Sequence, residues 1–152
     1  MKAIIIYETK YGFTKEVAEF INSEVEESEL VSIDDASSLN LKSFDAIFVC
    51  SFIIYGEVSE KTSEFLKNNK ITLLDKNIKL FCSALDQIDF TKAVQISLDP
   101  ELFLHMKVYN SGGRLVWDEL SFKEKRKIKK RLKIKSDIEK FDKDEIKKFI
   151  TL

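Results

Sequence analysis

Apolar positions along this chain follow two rhythms. Residues 2–7, 45–52 and 78–84 are almost continuously apolar, which is the pattern of central parallel strands covered on both faces. Residues 30–33 and 107–110 are shorter strand-like runs. Between them lie helical spacings over 14–27, 59–69, 122–133 and 143–150. In the first of these, Val17, Ala18, Ile21 and Val25 share one face, and Thr14 stands where a cap belongs. Ser59, Thr62 and Ser63 open the second, with Phe65 and Leu66 facing inward. Asp142 reads as the N-cap of the last helix, and Glu145 three residues on completes a capping box. Residues 85–100 have weak periodicity and receive no assignment. Strands separated by helices predict βαβ units, right-handed crossovers and one α/β domain over residues 1–152.

Composition narrows the class. With 152 residues, 44% hydrophobic and 34% charged, the chain is long enough for a substantial core and too apolar for disorder. No apolar run reaches the roughly 18 residues of a membrane span, and the N-terminus lacks a signal-peptide pattern, so a cytoplasmic location is expected. Cys50 and Cys82 sit inside apolar runs and are expected as buried free thiols; no histidine stands near them to complete a metal site. The net charge of −1 hides a strong asymmetry. From Lys123 to Lys135, nine Lys/Arg face one Glu, a local +8, which leaves −9 on the rest of the chain.

The chemistry concentrates in "YETKYGFT", between the first strand and the first helix. A turn feeding a helix at the C-terminal edge of a parallel sheet offers free backbone N–H groups and the positive end of the helix dipole, which suit a phosphate. The hydroxyls of Thr9 and Thr14 add donors, and Gly12 permits a positive φ or a close backbone approach. Ordinary helix capping remains the alternative reading. The four glycines, at 12, 56, 112 and 113, cannot form G-x-G-x-x-G or G-x-x-x-x-G-K-[ST], which excludes those two nucleotide-binding motifs.

"IIIYETKYGFTKEVAEFI" resembles the opening of flavodoxin-type proteins, whose first loop, T/S-x-T/S-G-x-T, wraps the FMN phosphate. Thr9, Gly12 and Thr14 match that pattern; Lys10 and Tyr11 replace hydroxyl residues, and Lys10 would either compensate as a cation or point into solvent. "FVCSFIIYGEVSEKTSEFLKNN" is similar to the second flavin loop and "LFCSALDQID" to the third. The resemblance implies a three-layer doubly wound fold with a five-stranded parallel sheet in the order 2-1-3-4-5, and FMN as cofactor. The FMN-binding positions it implies are Thr9, Lys10, Tyr11, Gly12, Phe13 and Thr14 in the first loop, Ser51, Phe52, Ile53, Tyr55 and Gly56 in the second, and Leu85 and Asp86 in the third. Tyr55 would stack on or edge the flavin ring, and Gly56 would sit beside it. Glu57, Asp86 and Asp89 would disfavour an anionic reduced flavin and so lower its second reduction potential.

The tail, "VYNSGGRLVWDELSFKEKRKIKKRLK" followed by "FDKDEIKKFI", is similar to the flavodoxin-domain subfamily that includes menaquinone-dependent protoporphyrinogen dehydrogenases. The resemblance thus implies electron transfer or flavin-dependent oxidoreduction, with a redox protein or a quinone as partner. Quinone-linked protoporphyrinogen oxidation is the first alternative, and a flavodoxin-shaped interaction module without FMN the second. His105 reads as structural, and Trp117 as packing the tail onto the sheet. Nucleic acid is not an expected partner, since the basic run lacks interleaved aromatic residues. For the run from Lys123 to Lys135 the plainer reading is a solvated helix face, and peripheral contact with an anionic membrane is the alternative.

Overall fold

A computed structural model describes residues 1–151. Its main sheet has strands β1 (Ala3–Tyr7), β2 (Ser28–Ser32), β3 (Ala46–Ile54), β5 (Asn77–Ser83) and β6 (Lys107–Asn110) in the order β2-β1-β3-β5-β6, all parallel. Strand β4 (Glu57–Val58) is a two-residue return paired antiparallel to the end of β3. With that short hairpin strand set aside, this is the expected five-stranded order 2-1-3-4-5.

Alternation along the strands explains the two cores. Ile4 and Ile6 of β1 join a cluster with residues of α2 (Glu60–Asn68), α3 (Lys70–Leu74), α4 (Gln87–Ser97) and α5 (Pro100–His105). Ala3 and Ile5 point the other way, toward α1 (Phe13–Glu24) and Ile146 of α7 (Lys143–Thr151). The three layers follow from this. Lys79 of β5 is buried in the second layer, where its Nζ donates to the Phe149 and Ile150 carbonyls at 2.9 and 2.8 Å and so ties down the end of α7.

Several boundaries differ from expectation for local reasons. Helix α1 stops at Glu24 rather than at residue 27, because Val25 turns to extended backbone and the Ser28 hydroxyl donates to the Asn22 and Val25 carbonyls. Gly12, not Thr14, is its N-cap. The unassigned stretch holds α4 and α5, capped by Asp86 and Asp99, with Pro100 opening α5. Asp142 accepts the Glu145 N–H at 3.1 Å, but the Glu145 carboxylate turns to Lys148 instead of closing a box. The complete capping box belongs to α6 (Phe122–Leu132), between Ser121 and Glu124. A separate ribbon pairs β7 (Gly113–Leu115) with β8 (Ile138–Lys140). His105 is exposed, with Nε2 2.8 Å from the Lys76 carbonyl.

Candidate functional site

A cavity of about 180 Å³ opens at the C-terminal ends of β1, β3 and β5, where parallel sheets of this kind bind ligands. One end is the first loop. Gly12 adopts φ +94, and a Cβ there would meet nothing within 4 Å, so backbone conformation and not crowding calls for glycine. The Gly12 N–H donates to the Thr9 hydroxyl at 2.9 Å, which leaves the Thr9 proton free to donate elsewhere. Helix α1 has no side-chain cap, so its first-turn N–H groups are open to an anion. Thr9 and Thr14 line the cavity beside them, as does Arg114. Arg114 is held by the Glu16 carboxylate and by Glu139 at 2.7 Å, with its guanidinium over the Phe13 ring. These two carboxylates hold the Arg114 proton even more firmly than usual, Glu16 first.

Beneath this loop a buried network sets the strand ends. Glu8 accepts from the hydroxyls of Ser59 (2.6 Å) and Thr62 (2.8 Å), and Thr62 shares a 2.7 Å hydrogen bond with Ser51. Ser51 is therefore spent on the network and does not reach the cavity wall.

The second loop is a tight hairpin. Tyr55 and Gly56 have φ of 51 and 83, the two positive values of a type I′ turn, between the paired residues Ile54 and Glu57. Phe52, Ile53, Ile54 and Tyr55 line the cavity, while Gly56 stands outside the wall under the Arg131 guanidinium. In the third loop Leu85 lines the cavity, whereas Asp86 turns back to cap α4 through the Ile88 and Asp89 N–H groups.

Helix α6 roofs the cavity with Glu124, Lys127, Ile128, Arg131 and Leu132. Glu124 accepts from Lys10 Nζ at 2.9 Å and from the Tyr11 hydroxyl at 2.6 Å, while the Ser121 N–H reaches it at 3.0 Å. Burial alone would raise the Glu124 pKa; the hydrogen bonds from Tyr11, Lys10 and Ser121 outweigh it and hold the carboxyl at about 2. The same contact raises the Lys10 pKa. At the far end, Arg131 binds Asp89 at 2.7 Å, and Lys127 lies 4.0 Å above the Tyr55 ring. Lys10 is thus neither a solvent-pointing side chain nor a free cation in the loop; with Tyr11 it latches the roof.

This geometry corrects the expected electrostatics. Of Glu57, Asp86 and Asp89, only Asp89 stands in the wall, and Arg131 holds it. Lys10, Arg114, Lys127 and Arg131 line the cavity against Asp89, Glu119 and Glu124, so the wall is close to balanced rather than acidic. On α6, Ile128 and Leu132 face the cavity, whereas Phe122 is 78% exposed. Nothing in the local spacing of Arg114, Lys127 and Arg131 points to the segments they close on, between 42 and 98 residues earlier. Taken together, the site offers anion donors at one end and a largely apolar slot at the other.

Comparison with known proteins agrees with the fold. The sequence matches the family described as Flavodoxin domain over residues 4–142. No curated protein matches it. Among solved structures, a Streptococcus pneumoniae TIGR4 flavodoxin is 16% identical, with a TM-score of 0.57 over 99% of this chain and 96% of its own. A Lactobacillus acidophilus NCFM flavoprotein in complex with FMN is 19% identical, with a TM-score of 0.56 over 73% of this chain and 91% of its own. A WrbA-like flavodoxin from Agrobacterium tumefaciens is 18% identical, with a TM-score of 0.55 over 81% of this chain and 87% of its own.

Proposed function

The chain belongs to the flavodoxin-domain family, and from that premise we propose that it binds FMN and serves in electron transfer or flavin-dependent oxidoreduction. The observation that carries this reading is the uncapped first turn of α1, opening at one end of a cavity whose other end is apolar. The N–H groups of Phe13, Thr14 and Lys15 and the hydroxyls of Thr9 and Thr14 would hold the phosphate. Phe52, Ile53, Tyr55 and Leu85 below, with Ile128 and Leu132 above, would bound the ring and exclude water from it. When bound, FMN supplies the electron chemistry. The chain's part is to seat, orient and shield it, and to set the charge around it with Lys127, Arg131 and Asp89.

The test is direct. Purified protein should be yellow or should take up FMN with fluorescence quenching, and should prefer FMN to riboflavin because the phosphate seat contributes. Colourless protein that leaves FMN fluorescence unchanged would instead favour an interaction module without cofactor.

Quinone-linked oxidation of protoporphyrinogen is the finer alternative. It is supported by the tail, since the residues that carry that resemblance supply β7 and α6, both in the cavity wall. FMN-loaded protein would then oxidise protoporphyrinogen faster when menadione is added. Turnover at the spontaneous rate leaves electron carriage as the function.

A further inference from the structure

We propose that the outer face of α6, with the exposed side chains around it, is a docking surface for an anionic lipid bilayer. The helix has two faces. Glu124, Lys127, Ile128, Arg131 and Leu132 line the cavity, while Lys123, Arg126, Lys129 and Lys130 fall on the opposite side and are exposed. None of these four makes an ion pair among the described residues. Four like charges within two turns repel one another, so a counter-charge supplied from outside stabilises the helix.

One exposed apolar side chain adjoins this strip: Phe122 opens the helix and is 78% exposed. A row of cations with a single ring at its end matches the surface of a lipid headgroup layer, anionic outside and apolar just beneath. Shape argues the same way. The strip is the outer side of an 11-residue helix with no buried residue, a surface that can lie on a plane; a single nucleic-acid strand is tracked by a groove with stacking platforms. The apolar side of α6 is already used by its own cavity, so the helix lies on the surface and does not insert. The −9 carried by the rest of the chain orients the approach, basic face first. The docking does not rest on the FMN reading.

The experiment is co-sedimentation of the whole chain with phosphatidylcholine vesicles, with and without phosphatidylglycerol. Binding is expected only with phosphatidylglycerol present, and should fade as the Debye length falls from about 10 Å at 0.1 M salt toward 3 Å at 1 M. Each cation near an anionic surface is worth about fivefold in partition. Changing Lys123, Arg126, Lys129 and Lys130 together to Gln should therefore weaken binding by more than about a hundredfold. Phe122→Ser should give a further, smaller loss. Since these residues lie off the cavity wall, the thermal transition and the FMN titration of the variants should match the parent, which separates lost docking from lost fold. Equal binding to both vesicle types, binding to neither, or undiminished binding by the fourfold variant overturns the proposal. Tighter binding to a poly-dT oligonucleotide than to the anionic vesicles overturns it as well.

Discussion

Helices α1 and α6 both wall the cavity, and they are held in opposite ways. Helix α1 buries Phe13, Thr14, Val17, Ala18 and Ile21 against the sheet, and Phe13 packs edge-on to Phe141 at 5.2 Å. Helix α6 has no buried residue; it is held by Glu124 at one end and Arg131 at the other, with Ile128 and Leu132 half-buried over the cavity. One wall is fixed by apolar area removed from water, which scales with burial and does not titrate. The other depends on charged hydrogen bonds at the surface, which salt and acid both weaken. The phosphate seat therefore stands on the rigid wall, and the roof is the part that conditions can loosen.

That contrast is open to attack. The largest effect should come from the rigid wall: Ile21→Ala removes fully buried atoms and should cost about 2–5 kcal/mol in denaturant unfolding, as one cooperative loss. Next, Thr14→Val removes a hydroxyl from the proposed phosphate seat. It should weaken FMN by about 1.5–3 kcal/mol in a titration, while riboflavin affinity stays unchanged. Gly12→Ala should cost roughly 1–2 kcal/mol of stability, the backbone term alone, because the added methyl meets open space.

The roof should respond more weakly and locally. Glu124→Gln keeps the capping box, since an amide oxygen also accepts the Ser121 N–H, but removes the charge of the latch to Lys10; it should cost about 0.5–1 kcal/mol and speed amide exchange in α6 while leaving the core amides protected. Acid should act in the same direction. The folded-state pKa of Glu124 is depressed to about 2 from the usual 4.5, so its contribution is fully present above pH 4.5 and is lost as the pH falls toward 2. Fluorescence of Trp117, whose ring lies under Lys125 of α6, should shift in that window before the core unfolds. If α6 and α1 exchange at one common rate under all these conditions, the distinction between the two walls is wrong.

The rigid wall is also the part that could be read in the sequence. Continuous apolar runs mark β1, β3 and β5 because both faces of each are covered, and the loop after β1 carries its own turn chemistry in Thr9 and Gly12. Helix α4 was hidden for a physical reason. Its buried Phe90, Ala93 and Val94 form a narrow stripe, and the exposed Ile88 and Ile96 blur the period. The signals that could have found these starts are the caps at Asp86 and Asp99–Pro100 and the Ser121-x-x-Glu124 spacing that opens α6, none of which entered the expected elements. What no local pattern could give is the second use of Glu124, since Lys10 and Tyr11 lie more than a hundred positions away. The lysine-rich composition of α6 suggested a solvated or docking face and concealed that its other side closes the site.

The two thiols provide a stopwatch for the interior. Cys50 packs on the side of α1 and α7, and Cys82 on the side of α2 through α5, so the sheet itself stands between the two compartments they report on. Burial pushes both thiols well above the ordinary range, which keeps them protonated and unreactive while the fold is closed. An alkylating reagent can therefore mark either sulfur only during an opening. The ratio of labels at residues 50 and 82 tells which face of the sheet parts first, without any engineered probe.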